Sequence, residues 1–514
     1  MFSKIYSAGF LGLTNILVEV EVDVSEGLHN FSIIGLPDTA IKEAKQRISS
    51  AIKNIGAQSP IRANKKITIN LAPADFKKSG SHYDLAMALG YLLASGQIPP
   101  FSVEKKLFVG ELTLNGELRP INGIISLTLF AEENNFEYLF LPYENLKEAS
   151  FVRKKVKLIG LKNLKEAIDF LQGKIFIKPF ENTDNDFSFT LKPSLDFSLI
   201  KGQEKAKRAL IISACGNHNL LMIGPPGAGK SLLAKAYHSI LPPLTFEEAI
   251  EVTKIYSLVG LIDHSNPLIQ IRPFRSPHHT ASSVALIGGG INAQPGEITL
   301  AHRGVLFLDE LPEFKRDVLE SLRQPLEEGE ISIARANFRL TYPAKFTLIS
   351  AMNPCPCGYF NDPEKECICR PYEILKYRKK ISGPFLDRID MVIYVNRLKP
   401  EEVLDHSNNE NLSLKIQEKI KEVQERQRRR FKEKDIFSNS EMKIKEIEKF
   451  CQLDLESEEI LKKAIKKYQL SPRSCHKILK VSRTIADLEG KDKISKVHLL
   501  EALQYKTNLS LDLF

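Results

Sequence analysis

Gly224, Gly229, Lys230 and Ser231 stand in the order Gly-x-x-x-x-Gly-Lys-Ser within "LLMIGPPGAGKSLLAKAYHSI". An apolar, strand-like run leads in and a helical pattern leads out. Glycines at those positions let backbone N–H groups face a phosphate. The lysine then reaches the terminal phosphates and the serine hydroxyl ligates Mg²⁺. Gly224, Pro225, Pro226, Gly227, Ala228, Gly229, Lys230 and Ser231 thus form a candidate cradle for ATP and Mg²⁺. Downstream, "GVLFLDEL" runs through the apolar Val305–Leu308 into Asp309 and Glu310. Open α/β sheets bind ligands at the carboxyl ends of their strands. Asp309 is placed to hold Mg²⁺, and Glu310 to orient and polarise an attacking water. A third run, "FTLISAMN", ends on Asn353, a candidate contact to the γ-phosphate or that water.

Two arginines extend the set. Arg388 ends a short helix-like segment in "GPFLDRID". Phosphoryl transfer is catalysed mainly by positioning and charge stabilisation, and an arginine from a neighbouring subunit often supplies the latter. A surface ion pair is the plainer reading of the same residue. Arg473 falls in the first turn of a helix begun by Ser471 as N-cap and Pro472 at the first position. The helix dipole disfavours a cation there. Either Arg473 has a job such as touching nucleotide, or it is an ordinary exposed arginine.

"NPCPCGYFNDPEKECICR" carries Cys355, Cys357, Cys367 and Cys369, four of the seven cysteines in the chain. Four thiolates suit a tetrahedral Zn²⁺, although C-x-C is tighter than the usual C-x₂-C. Gly358, Asn361 and Asp362–Pro363 between the pairs are turn formers. Structural zinc, a redox pair and unliganded thiols all remain open at this point. Cys215, Cys451 and Cys475 lie in helical patterns and read as packing residues.

These groups need elements to position them. At 514 residues the chain should hold about three domains, at ~150 residues each. Residues 1–175 alternate strand-like runs such as "NILVEVEVDV" and "KKITINLA" with helical ones. "DTAIKEAKQRISSAIKNIG" is an amphipathic helix with Asp38 as N-cap, and "DLAMALGYLLASG" is a buried helix. Residues 176–197, including the polar Phe180–Ser194 stretch, read as a linker. Residues 198–396 repeat strand, loop and helix, and 397–514 are helical. "LIGGGINAQPGE" reads as a loop projecting from a helix. "EISIARANFRLTYPAKF" reads as a hairpin turning at Ala336–Asn337, with Arg335 and Arg339 beside the turn. The mixed-sign run Lys415–Asp435 reads as a solvated helix. The net charge of +9 permits a nucleic-acid partner without demanding one. No long apolar run spans a membrane and the N-terminus lacks a signal-peptide layout, so the expectation is a cytoplasmic protein.

Taken together, the nucleotide motifs resemble an AAA+ ATPase over about 198–510, a P-loop core with a helical lid. More narrowly, "SPHHTASSVALIGGG", "PGEITLAHRGVLFLDELPEF", "LRQPLEEGEISIARA", "AMNPCPCG" and "FLDRID" resemble, in order, the magnesium-chelatase-like competence family (ComM/YifB). The resemblance implies a hexameric ATPase that drives branch migration of DNA in recombination and natural transformation. It implies a helix-2 insert, a pre-sensor-1 hairpin, Asn353 as sensor 1, Arg388 as arginine finger and Arg473 as sensor 2. Phe385 stands where the family usually has an aliphatic residue. In a ring, copies of the hairpin would line a pore, with Arg335, Asn337 and Arg339 as candidate DNA contacts.

The first domain, through "APADFKKSGSHYDLAMALG" and "VGELTLNGELRPINGI", resembles the α+β ribosomal-S5-type, Lon-protease-like fold. Its serine position falls on His82 and its lysine position near Ile125. A Ser–Lys dyad is therefore missing and a non-proteolytic domain is expected, with Ser81 the nearest hydroxyl. Two rivals to DNA translocation stay open: a magnesium-chelatase motor subunit, and a protein-remodelling or protease partner.

Overall fold

The computed structural model describes residues 1–62, 64–181, 195–290, 294–335, 338–398, 411–432 and 436–512. The first part of the chain is built on strands β1 (Phe2–Leu11), β2 (Thr14–Glu26), β3 (Asn30–Ile34) and β4 (Lys65–Ala72), in the order β1-β2-β4-β3. The alternation in β2 buries Val18, Val20, Val22 and Val24 and turns the intervening acids outward, as the two-residue strand period requires. Against this sheet pack helices Thr39–Asn54 and Asp84–Ala94. Asp38 caps the first by accepting from the Ile41 N–H at 2.9 Å, as the sequence suggests. The second is buried almost all round. A small parallel sheet of β5 (Lys106–Phe108), β6 (Tyr138–Pro142) and β7 (Lys157–Leu161) completes an α+β unit. In this unit His82 is buried, its Nε2 lying 3.0 Å from the Ala8 carbonyl, and burial pushes its pKa down to about 4. Ser81 donates to Glu111, and Ile125 is buried in the helix Ile124–Glu133. The groups that a Ser–Lys dyad would need are not brought together.

The central sheet contains β8 (Leu220–Ile223), β9 (Phe274–Arg275), β10 (Val305–Leu308), β13 (Thr347–Met352) and β14 (Met391–Tyr394); between β10 and β13 the chain makes a hairpin of β11 (Glu330–Arg335) and β12 (Phe338–Pro343). The five sheet strands are all parallel, in the order β9-β10-β13-β8-β14. Strands buried on both faces read as continuous apolar runs, which is why "LLMI", "VLFL" and "TLISAM" are legible. The hairpin pairs Arg335 with Phe338 across its turn, at the expected place. Asn337 and the side chain of Arg335 lie outside the described residues, as does most of the expected linker. Arg339 is exposed. The "GGG" segment, expected as a loop, forms a short antiparallel ladder, Gly288 opposite Pro295 and Gly289 opposite Gln294. Gly288 takes φ +94° there, and a Cβ on it would sit 2.4 Å from the Gln294 carbonyl oxygen, so only glycine closes that ladder.

Helices Leu412–Arg430, Ile444–Phe450, Leu455–Tyr468, Pro472–Leu488 and Lys496–Asp512 follow. The first is not simply solvated, contrary to the sequence reading. It buries Ile420, Val423 and Gln427. Gln424 and Gln427 donate to the Ala214 and Cys215 carbonyls at 3.2 and 2.9 Å, satisfying the end of helix Glu204–Gly216. The first unit is tied to the core by Gly123 N–H donating to Ser257 Oγ at 2.8 Å and by Leu11 and Leu13 packing on the cluster that includes Leu340 and Tyr342 of β12. Among the described residues no helix is long and apolar enough to cross a membrane.

Candidate active site

The loop after β8 leads into helix Lys230–Ser239, with Gly227 and Gly229 at φ +78° and +87° and open space where their Cβ atoms would be. Side chains there would strain the turn and occupy that space. Lys230 is buried; its Nζ donates to the Gly224 and Pro225 carbonyls at 2.8 and 2.9 Å and to Asn353 Oδ1 at 3.2 Å. No carboxylate touches it. Burial pushes its pKa down, against the raising influence of Asp309 and Glu310. A buried cation short of counter-charge is an electrostatic deficit that a phosphate would fill.

Ser231 Oγ donates to Asp309 Oδ2 at 2.7 Å. A hydroxyl and a carboxylate so close are hard oxygen donors of the kind Mg²⁺ takes alongside phosphate oxygens. Asp309 and Glu310 project from the carboxyl end of β10, Asn353 from that of β13, and the phosphate loop from that of β8. Adjacent parallel strands thus bring Lys230, Ser231, Asp309, Glu310 and Asn353 to one edge. Glu310 sits at φ +51° and lies 3.2 Å from His279 Nδ1. Sequence reasoning missed His279 as a partner. "SPHHTASS" names two histidines, but only the fold shows which one meets the acid.

Arg388 and Arg473 are elsewhere. Asn219 at the amino end of β8 donates from Nδ2 to the Arg388 carbonyl at 3.1 Å and receives Asp390 as acceptor of its N–H at 2.9 Å. Arg388 therefore lies at the amino edge of the sheet, opposite the phosphate loop. Its side chain is buried, with Nη2 2.8 Å from Glu327 Oε1 and Nη1 donating to the Pro384 carbonyl. Its Nε is buried without a hydrogen-bond partner among the described residues. Burial pushes its pKa down, and Arg323 adds to that. Ser471 and Pro472 start the helix carrying Arg473, as the sequence suggests. Lys477, one turn further, pairs with the buried Asp390 at 2.8 Å. Burial alone would raise the Asp390 carboxyl, but Lys477 and His218 hold it at about 2. That pair pins the helix to the amino edge, so Arg473 reaches the same Glu327. Both arginines line an open cleft of about 1000 Å³ between the core and the C-terminal helices.

The four cysteines converge. Their sulfurs all lie within 4.8 Å of one another, and none is in a disulfide. The loop follows Asn353 directly and rests on the phosphate loop.

The parallel sheet order, the phosphate loop at one edge and the arginines at the other define a AAA+ P-loop core followed by a helical region. Residues 196–403 match the family described as magnesium chelatase, subunit ChlI; residues 20–145 match its ChlI-subunit family, and 410–506 its C-terminal family. The chain is 42% identical over 509 residues to the competence protein ComM of Haemophilus influenzae, covering 99% of this chain and 98% of that protein. It is 41% identical over 502 residues to the uncharacterised protein YifB of Salmonella typhimurium, covering 98% and 96% respectively. The magnesium-chelatase 38 kDa subunit of Cereibacter sphaeroides is 26% identical over 180 residues, 32% of this chain and 54% of that protein. The chain belongs to the magnesium-chelatase-like ComM/YifB family.

Proposed function

We propose that this chain is an ATP-hydrolysing motor that assembles into a ring, with six subunits as the family resemblance implies, and moves DNA, driving branch migration in recombination. The observation that carries the ring is the separation of charges. Lys230, Ser231, Asp309, Glu310 and Asn353 meet at one edge of the sheet, while Arg388 and Arg473 share Glu327 at the other. A chain cannot bring its own arginines to its own phosphate site without breaking the sheet. In a ring, each amino edge faces a neighbour's carboxyl edge.

In this reading the roles divide as follows. Lys230 and the backbone N–H groups of the loop bind the phosphates. Ser231 and Asp309 would hold Mg²⁺, which neutralises charge on the phosphate oxygens. Glu310 orients the attacking water, with His279 holding the carboxylate while the site waits. Asn353 ties the water's position to Lys230. Arg388, with Arg473 behind it, stabilises charge on the neighbour's transferring phosphoryl group.

DNA as the substrate is supported by the exposed Arg339 in the β11–β12 hairpin, by Arg335 beside the turn, and by the name competence protein borne by a relative that matches nearly end to end. The magnesium-chelatase family match supports a second reading, a motor subunit for chelation, but the matched chelatase subunit covers only a third of the chain. One experiment separates them. Four-way and forked DNA should stimulate ATP hydrolysis by assembled protein, and Arg339→Ala should weaken that stimulation and flatten its salt dependence. Hydrolysis unchanged by junction, forked and single-stranded DNA at low salt, in protein shown to form rings, would remove the DNA reading.

A further inference from the structure

The stretch from Cys355 to Cys369 contains no helix and no strand, and its Ile368 is 85% exposed. It has no core of its own. Yet its sulfurs are tightly gathered: Cys355 to Cys357 3.4 Å, Cys355 to Cys367 3.7 Å and Cys357 to Cys367 3.6 Å. Zn–S bonds of about 2.3 Å place tetrahedral sulfurs about 3.8 Å apart, close to these separations. A disulfide would bring two sulfurs to about 2.0 Å and leave the others out. Two backbone N–H groups donate to sulfur, Cys357 to Cys369 Sγ and Phe360 to Cys355 Sγ, each at 3.3 Å. Such donors favour thiolates and fix ligand orientation. Four thiolates this close repel one another unless a cation sits among them.

The loop is also placed with purpose. Gly358 takes φ +87°, and a Cβ on it would lie 2.5 Å from Cδ of Pro226 in the phosphate loop and 3.8 Å from Cγ of Asn353. The backbone of the cysteine loop therefore rests between the phosphate loop and Asn353. Phe360, Asp362 and Pro363 form one wall of a cavity of about 240 Å³ whose opposite wall includes Gly224 and Pro225. Arg397 pairs with Asp362 at 3.1 Å and lies over the Tyr359 ring at 5.4 Å, closing the loop onto the end of β14.

We propose that Cys355, Cys357, Cys367 and Cys369 bind one structural Zn²⁺, and that this ion braces the nucleotide pocket by holding Gly358 against Pro226 and Asn353. The second half of this proposal rests on the nucleotide reading above; the first half does not. The loop has too few apolar contacts to stay on the phosphate loop by packing, and the metal replaces them. Losing the ion would free Pro226 and Asn353 and weaken nucleotide binding although no cysteine touches nucleotide.

The test uses full-length protein purified without chelator. Elemental analysis should find about one zinc per chain, and cobalt substitution should give the thiolate-to-metal charge-transfer absorption of a tetrahedral sulfur site. Cys357→Ser or Cys369→Ser should lose the zinc and raise the Kd for a fluorescent ADP analogue at least tenfold. Gly358→Ala keeps every cysteine and answers the objection that the serine variants misfold. It should retain zinc and still raise the Kd severalfold. Absence of zinc, or another metal in its place, overturns the metal site. Zinc retained in Gly358→Ala with unchanged Kd overturns the brace. Lys230→Ala locates any failure: it should keep zinc and lose nucleotide. If it binds nucleotide normally, the phosphate-loop reading and the brace fall together while the zinc count stands.

Discussion

Replacing Arg388 with alanine should separate activity from stability. The truncation removes the Nη2–Glu327 ion pair at 2.8 Å and the Nη1 bond to the Pro384 carbonyl. Glu327 is 38% exposed and keeps Arg473, so the lost pair is worth about 1 kcal/mol or less. Against that, the buried Nε with no partner disappears, which relieves a desolvation cost of ~1–3 kcal/mol. The net change in stability should therefore stay within ~2 kcal/mol in either direction. The chemical step is different. An arginine supplied to a neighbour's phosphoryl group accelerates transfer by about 10³–10⁵-fold, or about 4–7 kcal/mol at ~1.4 kcal/mol per decade. The assay is steady-state ATP hydrolysis by assembled protein, with thermal unfolding and nucleotide affinity measured on the same samples. Arg388→Ala should bind nucleotide like the unaltered chain, unfold within a few degrees of it, and hydrolyse at least a thousandfold more slowly. Mixing it with Lys230→Ala subunits should restore part of the activity, because some interfaces then pair an intact phosphate loop with an intact arginine. Hydrolysis within tenfold of normal by Arg388→Ala rings, or no recovery in rings shown to be mixed, would refute the reasoning.

Two further outcomes follow from the same geometry. Lys230→Ala should lose nucleotide binding, whereas Glu310→Gln should bind ATP and hydrolyse it very slowly; normal turnover in Glu310→Gln would remove its assigned role. Glu148 is buried where the first unit meets the core, accepts from Ser257, and burial pushes its pKa up to about 7. Since an unfolded glutamate titrates near ~4.3, the folded chain holds this proton more tightly, and stability falls as pH rises from about 4.5 through about 7. Glu148→Gln should thus gain thermal stability over the unaltered chain at pH ~8, by at most ~3 kcal/mol, and show no such gain at pH ~4.5; a gain independent of pH would exclude the titration.

What the sequence discloses and what it hides follow from how far each interaction reaches. The phosphate loop is local. Its glycines, lysine and serine act within one turn, so the motif alone places them. The parallel strands are legible because strands buried on both faces leave unbroken apolar runs. Caps such as Asp38, Thr245 and Ser471 act over three residues and are equally visible. Glu327 is different. It sits in the acidic run "LEEGE", where nothing marks it out from its neighbours, yet the fold delivers two arginines to it from distant segments. The helix Leu412–Arg430 was hard to read for a related reason. Its buried face is completed by Gln424 and Gln427, which serve another helix's terminal carbonyls, and an amide does not register in an apolar period.

The sheet itself carries the strongest argument for assembly. β8 has four residues and spans about 13 Å at ~3.3 Å per residue. The phosphate loop begins where it ends, and Asn219, holding Arg388 and Asp390, stands where it starts. Every strand is parallel, so every carboxyl end, with its acid or amide, faces the same way. No rotamer of Arg388 crosses a packed sheet to reach Lys230. The Lys477–Asp390 pair then fixes the C-terminal helices to the amino edge, which commits Arg473 to the same side. A phosphate bound in this loop meets one buried cation from its own chain. It gains the second and third only if another copy presents its amino edge. Charge stabilisation of the transferring group is thus made conditional on a neighbour, and hydrolysis in one subunit becomes a report on the position of the next.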